Sequence, residues 1–285
     1  MNILYCGDKN IADGLTLSVL SLIGHTREPL NILILTADLA AGNRRCVALP
    51  EDFAEFLDMR LKVFDPRHSV RLFNVTPLFG AEPPTANLGT RFTPCCMLRL
   101  YADLVPDVPD RVLYLDNDVV CRGDFSELYY TDLGGAELAG VPDYYGRWFF
   151  RRRVIVHDYL NSGVLLLDMK KIRADGLFRR CRRMCAAKRM FMPDQSALNK
   201  LAKLKKIMPR RYNEQRRQQN NTVFRHFTTT FRLFPTFHTV SVKPWQEDKM
   251  HEVLKIYEYD ALIAESGRLM ADYRAFRDRS GGISS

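Results

Sequence analysis

Short apolar runs alternate with segments of helical period along the first third of the chain. Asn2–Cys6 is a compact apolar run that stops at Gly7-Asp8. Ala12, Leu15, Ser18 and Val19, continued by Leu22 and Ile23, then recur on one face and predict an amphipathic helix. Leu30–Leu35 reads as a second buried strand, Glu51–Leu61 as a helix and Lys62–Phe64 as a third strand. Strands alternating with helices predict a parallel sheet with crossover helices. Arg67–Thr90 carries Pro77, Pro83, Pro84 and Gly89 and is expected to be an irregular loop or a partly ordered lid. Pro94 suits the first turn of a helix that continues through Met97, Leu98, Leu100 and Tyr101 to Leu104. Arg111–Leu115 is an apolar strand that ends abruptly at Asp116, and Asn161–Met169 is another, opened by small polar residues. Lys171–Arg189 and Asp194–Leu204 read as helices, Thr222–Phe227 as a strand, and Gln246–Arg277 as an amphipathic helix. No repeat or clean linker is visible, so the expected layout is one α/β domain over residues 1–245 with a helical C-terminal appendage at 246–285.

Composition sharpens this picture modestly. The chain has 285 residues, 46% of them apolar and 26% charged, which supports a substantial core and argues against disorder. Lys and Arg outnumber Asp and Glu by 42 to 33, and the surplus of +9 favours anionic partners. Its basic runs, around Arg151, Arg179–Arg189 and Lys200–Arg217, read first as a solvated face and next as a peripheral contact with an anionic membrane; nucleic acid is not expected. Seven cysteines without zinc-site spacing fit reduced thiols in a cytoplasmic protein. No apolar run has the length of a membrane span, so any membrane association is expected to be peripheral, at the inner face.

The sharpest chemical signal is Asp116-Asn117-Asp118, directly after Val-Leu-Tyr-Leu. On an extended strand end, residues i and i+2 share a side, so the two carboxylates converge while Asn117 faces away. Two like charges held that close repel unless a cation lies between them, and carboxylate oxygens suit Mn²⁺ or Mg²⁺. The carboxyl ends of strands in such sheets are also where ligands bind. A polar turn ending a buried strand is the alternative. Asp8 and Asn10 follow the first strand, where they could hold a base or ribose or cap a helix. Neither GxGxxG nor GxxxxGK[ST] occurs, which argues against a hydride-transfer enzyme or a P-loop ATPase. Lys243-Pro244-Trp245 offers a lysine on a rigid step, suited to phosphate or to a surface turn. Asp194 could cap the helix that follows it. No HExxH or Gly-x-Ser-x-Gly pattern is present.

Taken in order, these pieces resemble glycosyltransferase family 8. The anchors are Ile3–Asn10, Arg99-Leu100-Tyr101-Ala102-Asp103, Val112–Val119, Leu160–Leu166, Pro193-Asp194-Gln195 and Lys243-Pro244-Trp245, spread over Asn2 to Trp245. The resemblance implies a GT-A fold and a retaining transfer of a hexose, glucose or galactose, from a UDP-sugar donor with Mn²⁺. Asp8 and Asn10 would then hold the uridine, and Arg99 and Asn117 would join the donor contacts. Asp116 and Asp118 would bind the metal, Lys243 the phosphate, and Asn161, Asp194 and Gln195 would line the sugar and reaction centre. Asp143 falls near the expected acceptor, a glycan or lipid-linked saccharide of the cell envelope. The third metal ligand should be a histidine. His226, in His226-Phe227-Thr228, fits the local pattern better, and His238 lies nearer to Lys243. Ile11 stands where the family usually stacks an aromatic residue on the base, and Ser196 where acidic residues are common. Acceptor contacts are expected from Arg67–Thr90 and Tyr144–Val156. The rival readings are a catalytically silent carbohydrate-binding or assembly protein of the same fold, and a nucleotidyltransferase, which would want a Gly-rich basic N-terminal loop that Asn2–Leu20 lacks.

Overall fold

The computed structural model describes residues 1–41, 44–89, 94–144, 158–232 and 238–281, with the side chains of 41, 44, 230–232, 238 and 280–281 left outside that description. The chain opens with β1 (Asn2–Cys6), α1 (Ala12–Ile23) and β2 (Asn31–Thr36), followed by a small hairpin of β3 (Leu39–Ala41) and β4 (Arg44–Cys46). Next come α2 (Glu51–Phe64), β5 (Ser69–Asn74), α3 (Thr76–Ala81), a long 3₁₀ helix over Pro94–Leu104, and β6 (Arg111–Leu115). After β7 (Val119–Cys121), α4 (Ser126–Tyr129) and β8 (Leu138–Pro142) come β9 (Leu160–Asp168), α5 (Met169–Asp175), α6 (Leu177–Ala187) and α7 (Pro193–Leu201). The last described elements are β10 (Lys205–Ile207), β11 (Phe224–His226), β12 (Thr230–Arg232), β13 (His238–Val240) and α8 (Asp260–Gly281).

Among the described residues the main sheet has seven strands in the order β10-β8-β9-β6-β1-β2-β5. β9 alone in it runs antiparallel to its neighbours, β6 and β8; the other pairings are parallel. This is a mainly parallel α/β sheet flanked by helices, as expected, made mixed by the one antiparallel strand. The longest strand, β9, is buried on both faces through almost all its length, as its run of leucines requires.

One core lies where α1, α2 and α8 cover the sheet. α1 is buried nearly all round, and its buried polar side chains are satisfied: Tyr5 Oη lies 2.8 Å from Ser18 Oγ, and Ser21 Oγ accepts from Cys121 N at 2.9 Å. α8 packs on α1 and α2 through Leu269, Met270 and Tyr273, with the Tyr273 ring edge-on to Phe53 at 5.1 Å. The C-terminal helical segment thus shares the main core. The opposite face of the sheet is covered by the 3₁₀ helix, α5, α6 and α7.

Several local expectations are corrected. Lys62–Phe64 continues α2, whose buried Phe53, Phe56, Leu57 and Leu61 keep helical spacing, while Val63 and Phe64 are exposed. The third parallel strand is instead β5, inside the stretch read as irregular; it is a half-buried edge strand and lacks a continuous apolar run. The helix read over Lys171–Arg189 breaks at Gly176, whose φ of 63° ends α5 and starts α6. Arg182 in that basic run is buried and pairs with Asp103 and Glu82, so the run is only partly a solvated face. The helix read over Gln246–Arg277 is split: helical turns at Glu247–Lys249 and Met250–Leu254 come first, and the long helix begins at Asp260.

Candidate active site

The sheet brings the expected site residues to one edge. The carboxyl ends of β1, β6 and β8 lie there, and because β9 runs the other way its amino end, Leu160-Asn161-Ser162-Gly163, lies there too. Asp8, Asp116 and Asp143 each leave the sheet at that edge.

At the end of β6 the chain makes a turn, with Asp116 N donating to Gly163 O at 2.8 Å and Val119 N to Asp116 O at 3.1 Å. Asp116 and Asp118 therefore converge through a tight turn and not along an extended strand. Asn117 lies against α1. A β-carbon on Gly14 would come within 2.7 Å of Asn117 O and 2.5 Å of Trp245, so only glycine lets the turn, α1 and Trp245 pack together. β11 pairs with β7 in antiparallel register, His226 opposite Val119, and this carries His226 to the turn. His226 Nε2 lies 3.1 Å from Asp118 Oδ1 and 3.6 Å from Asp116 Oδ2. One ligand atom from each of the three groups lies within 4.8 Å of the others.

Asp118 Oδ1 is buried and accepts no hydrogen bond. A buried carboxylate oxygen left unsatisfied is costly, and a shared cation is the ordinary remedy. Two carboxylates and an imidazole make a mixed oxygen and nitrogen donor set, so the residues present fit a divalent cation of the Mn²⁺ kind. The other oxygen, Oδ2, forms a close ion pair with Lys243, whose Nζ also donates to Phe227 O at 3.2 Å. Burial alone would raise the Asp118 carboxyl; Lys243 first and His226 next outweigh it and hold it well below the usual carboxylate range. Burial pulls the Lys243 ammonium down, but Asp118 more than compensates and holds it above its ordinary value.

A second knot centres on Arg99, buried in the 3₁₀ helix. Its Nη2 lies 3.0 Å from Asp116 Oδ1 and its Nε 3.2 Å from Asp194 Oδ2, and Nη1 donates to Ser162 O. The guanidinium sits 4.0 Å over the Tyr114 ring, and Tyr114 Oη donates to Asp116 Oδ1 at 2.7 Å. One cation thus ties the turn of β6 to the start of α7. Burial pushes the Asp194 carboxyl above its ordinary value; Arg99 opposes this, and the net shift is upward. Gln195 is a clamp: its Oε1 accepts from Ser162 N at 2.9 Å and its Nε2 donates to Asp143 Oδ2 at 2.6 Å. Asn161 Oδ1 accepts from Gly163 N at 3.0 Å and from Asn213 Nδ2 at 2.9 Å.

Asp8 is buried, and both its oxygens accept from Asn10, backbone and side chain, at 3.0 Å. Asn10 is exposed at the same edge. The capping geometry is present while both residues stand beside β6. The His238 side chain and residues 145–157, most of the second expected acceptor loop, lie outside the described residues. Sequence reasoning missed Gly163, Tyr114, Ser162 and Asn213. Gly163 and Ser162 fall within Leu160–Leu166, but only the contact across to His226 and Gln195 shows what they do. Tyr114 reads as a core aromatic. Asn213 carried no periodic or motif signal.

Fold and site together define a glycosyltransferase of the GT-A type. A model of glycosyl transferase family 8 matches residues 2–249, and the chain belongs to that family. The lipopolysaccharide 1,2-glucosyltransferase of Escherichia coli K12 is 27% identical over 276 residues, covering 90% of this chain and 76% of that enzyme. The galactosyltransferase LgtC, solved with donor and acceptor sugar analogues, superposes with a TM-score of 0.66 at 20% identity over 94% of this chain and 96% of its own. The glycosyltransferase GlyE of Streptococcus pneumoniae TIGR4 gives 0.59 at 20% identity over 93% of this chain and 63% of its own. At these identities the two structures speak for the fold.

Proposed function

We propose that this chain transfers a hexose, glucose or galactose, from a UDP-sugar to a lipopolysaccharide-type or related envelope glycan, with retention at the transferred carbon and with Mn²⁺. The observation that carries the reading is the meeting of Asp116, Asp118 and His226 around an oxygen of Asp118 that lacks a hydrogen bond. The acceptor class rests on the family and on the E. coli relative named for lipopolysaccharide. A divalent cation here would neutralise charge growing on the departing diphosphate.

The chain's own residues do the rest. Asp8 and Asn10, at the end of β1, would take the uridine, with Arg99 and Asn117 among the donor contacts. Lys243, already charged and paired to Asp118, is poised to pass to a phosphate oxygen brought beside it. Asp194, held by Arg99, offers a carboxylate to the positive charge that develops on the sugar. Gln195 keeps Asp143 on the acceptor side and Ser162 in place, while Asn161 lines the sugar. No helix among the described residues is long and apolar enough to cross a membrane. The exposed Arg179, Arg183, Lys188 and Arg189 on and after α6 suit a peripheral contact with anionic lipid at the inner face.

The test is a hydrolysis screen of UDP-sugars with and without Mn²⁺, on the native chain and on Asp118→Ala. UDP-glucose or UDP-galactose should be cleaved only with metal, and Asp118→Ala should abolish cleavage while remaining folded. Unchanged turnover in that variant would remove the metal site, and no cleavage or thermal shift with any UDP-sugar would favour a silent binding protein.

A further inference from the structure

The three-residue cluster has a support that the family motifs do not name. His226 is buried, and its Nδ1 lies 3.1 Å from Asn213 Oδ1. Imidazole nitrogens can donate or accept, so this distance alone does not say where the proton sits. The neighbouring bonds do. Gly163 N–H can only donate, and it donates to Asn161 Oδ1 at 3.0 Å. That identifies the atom as oxygen. The Asn213 atom 2.9 Å from the same oxygen must then be the amide nitrogen, Nδ2. The other end of the Asn213 amide, facing His226, is therefore Oδ1, an acceptor with no hydrogen to give. His226 must therefore carry a proton on Nδ1, which leaves Nε2 as the ring nitrogen that faces Asp118 Oδ1 and Asp116 Oδ2.

We propose that Asn213 is the positioning residue of the cation site, accepting from Nδ1–H of His226 so that Nε2 is the nitrogen turned to the cluster and free to ligate. The relay begins at a backbone amide of β9, passes through Asn161 and ends at the imidazole. Asn213 is wholly buried, and its own backbone is fixed by N–H donation to Arg210 O at 3.0 Å. His226 N donates to Glu214 O, the next residue along, at 3.0 Å, so the two side chains sit on paired segments. Outer partners of this kind orient ligating histidines and commonly change metal affinity by about 10–100-fold when removed. The proposal rests on the cation site of the previous subsection, but the tautomer is a property of the metal-free chain.

Two variants separate positioning from mere packing. Asn213→Leu removes both bonds. Asn213→Asp keeps an acceptor for Nδ1–H and loses the donor to Asn161. Long-range ¹H–¹⁵N spectra of metal-free, histidine-labelled protein at alkaline pH, with His226 assigned by the His226→Gln variant, should show Nδ1–H in the native chain and in Asn213→Asp. Asn213→Leu should shift towards Nε2–H. Calorimetric Mn²⁺ titration should find Asn213→Asp within about threefold of native and Asn213→Leu about 10–100-fold weaker. An Nε2–H signal in the native chain overturns the proposal, as does equal weakening in both variants or none in Asn213→Leu. If Asn213→Leu does not fold, the native and Asn213→Asp spectra still decide. If the native chain binds no Mn²⁺, the cation site falls, and the tautomer spectrum judges Asn213 separately.

Discussion

Gly163→Ala is the smallest change that should disable the proposed cation site, and its effect can be worked from distances. A β-carbon built on Gly163 falls 2.1 Å from His226 Cε1, 2.7 Å from its Nδ1 and 2.8 Å from Asp116 Oδ2. Ordinary carbon–carbon contact begins at about 3.5 Å, so the imidazole must retreat by more than about 1 Å. It has little freedom to do so, because Nδ1 is tied to Asn213 and β11 is locked in register with β7. Metal sites tolerate ligand displacements of about 0.2 Å. The expected loss in Mn²⁺ affinity is therefore at least about 100-fold, or about 2.8 kcal/mol at about 1.4 kcal/mol per tenfold. Overpacking should also lower metal-free stability by about 1–3 kcal/mol. The sign is diagnostic, because alanine for glycine in an uncrowded strand restricts the unfolded chain and stabilises. Calorimetric Mn²⁺ titration and urea unfolding measure both effects. A folded Gly163→Ala that binds Mn²⁺ within about threefold of native would refute the placement of His226 over Gly163.

Arg99→Met leaves the buried Asp194 and the partly exposed Asp116 without their shared cation and should cost about 3–5 kcal/mol in urea unfolding. Arg99→Lys should recover little of it, since a single ammonium cannot reach both carboxylates and Ser162 O while lying over Tyr114. Tyr273→Ala, which removes the ring between Phe53 and Phe56, should cost about 3 kcal/mol and lower Tm, testing how much α8 contributes to the core. His68 Nδ1 accepts from Leu30 N at 2.9 Å, and burial holds its imidazolium below the ordinary value of 6.5. The unfolded chain then takes up that proton more readily, so this contribution is full above about pH 6.5 and is lost as pH falls through the lower folded value. His68→Gln, which keeps an acceptor, should flatten that part of the pH–Tm curve.

What could be read in advance follows from the kind of signal each element carries. β1, β6 and β9 were legible because strands buried on both faces are written as unbroken apolar runs. β5 was not, because at the sheet edge Arg71 and Asn74 interrupt it and nearby prolines suggest a loop. Asp116 and Asp118 could be assigned a common target from spacing, although the turn that aims them could not. His226 could be preferred over His238 only by analogy, since its placement depends on pairing between β11 and β7. Asn213 was invisible, because its bonds to Asn161 and His226 are long-range and leave no period in the sequence.

That same pairing has a consequence for how the enzyme comes into being. Asp116 and Asp118 leave the ribosome more than a hundred residues before His226 does. Until Phe224–His226 zips against Val119–Cys121, the growing chain holds two acidic groups at the end of a strand and no imidazole between them. A slip of one residue in that zipper would turn His226 to the opposite face. On the proposed cation site, chemical competence is thereby deferred to a late, register-sensitive event. Nascent, truncated or misthreaded copies would stay inert, unable to spend activated sugar before the molecule is complete.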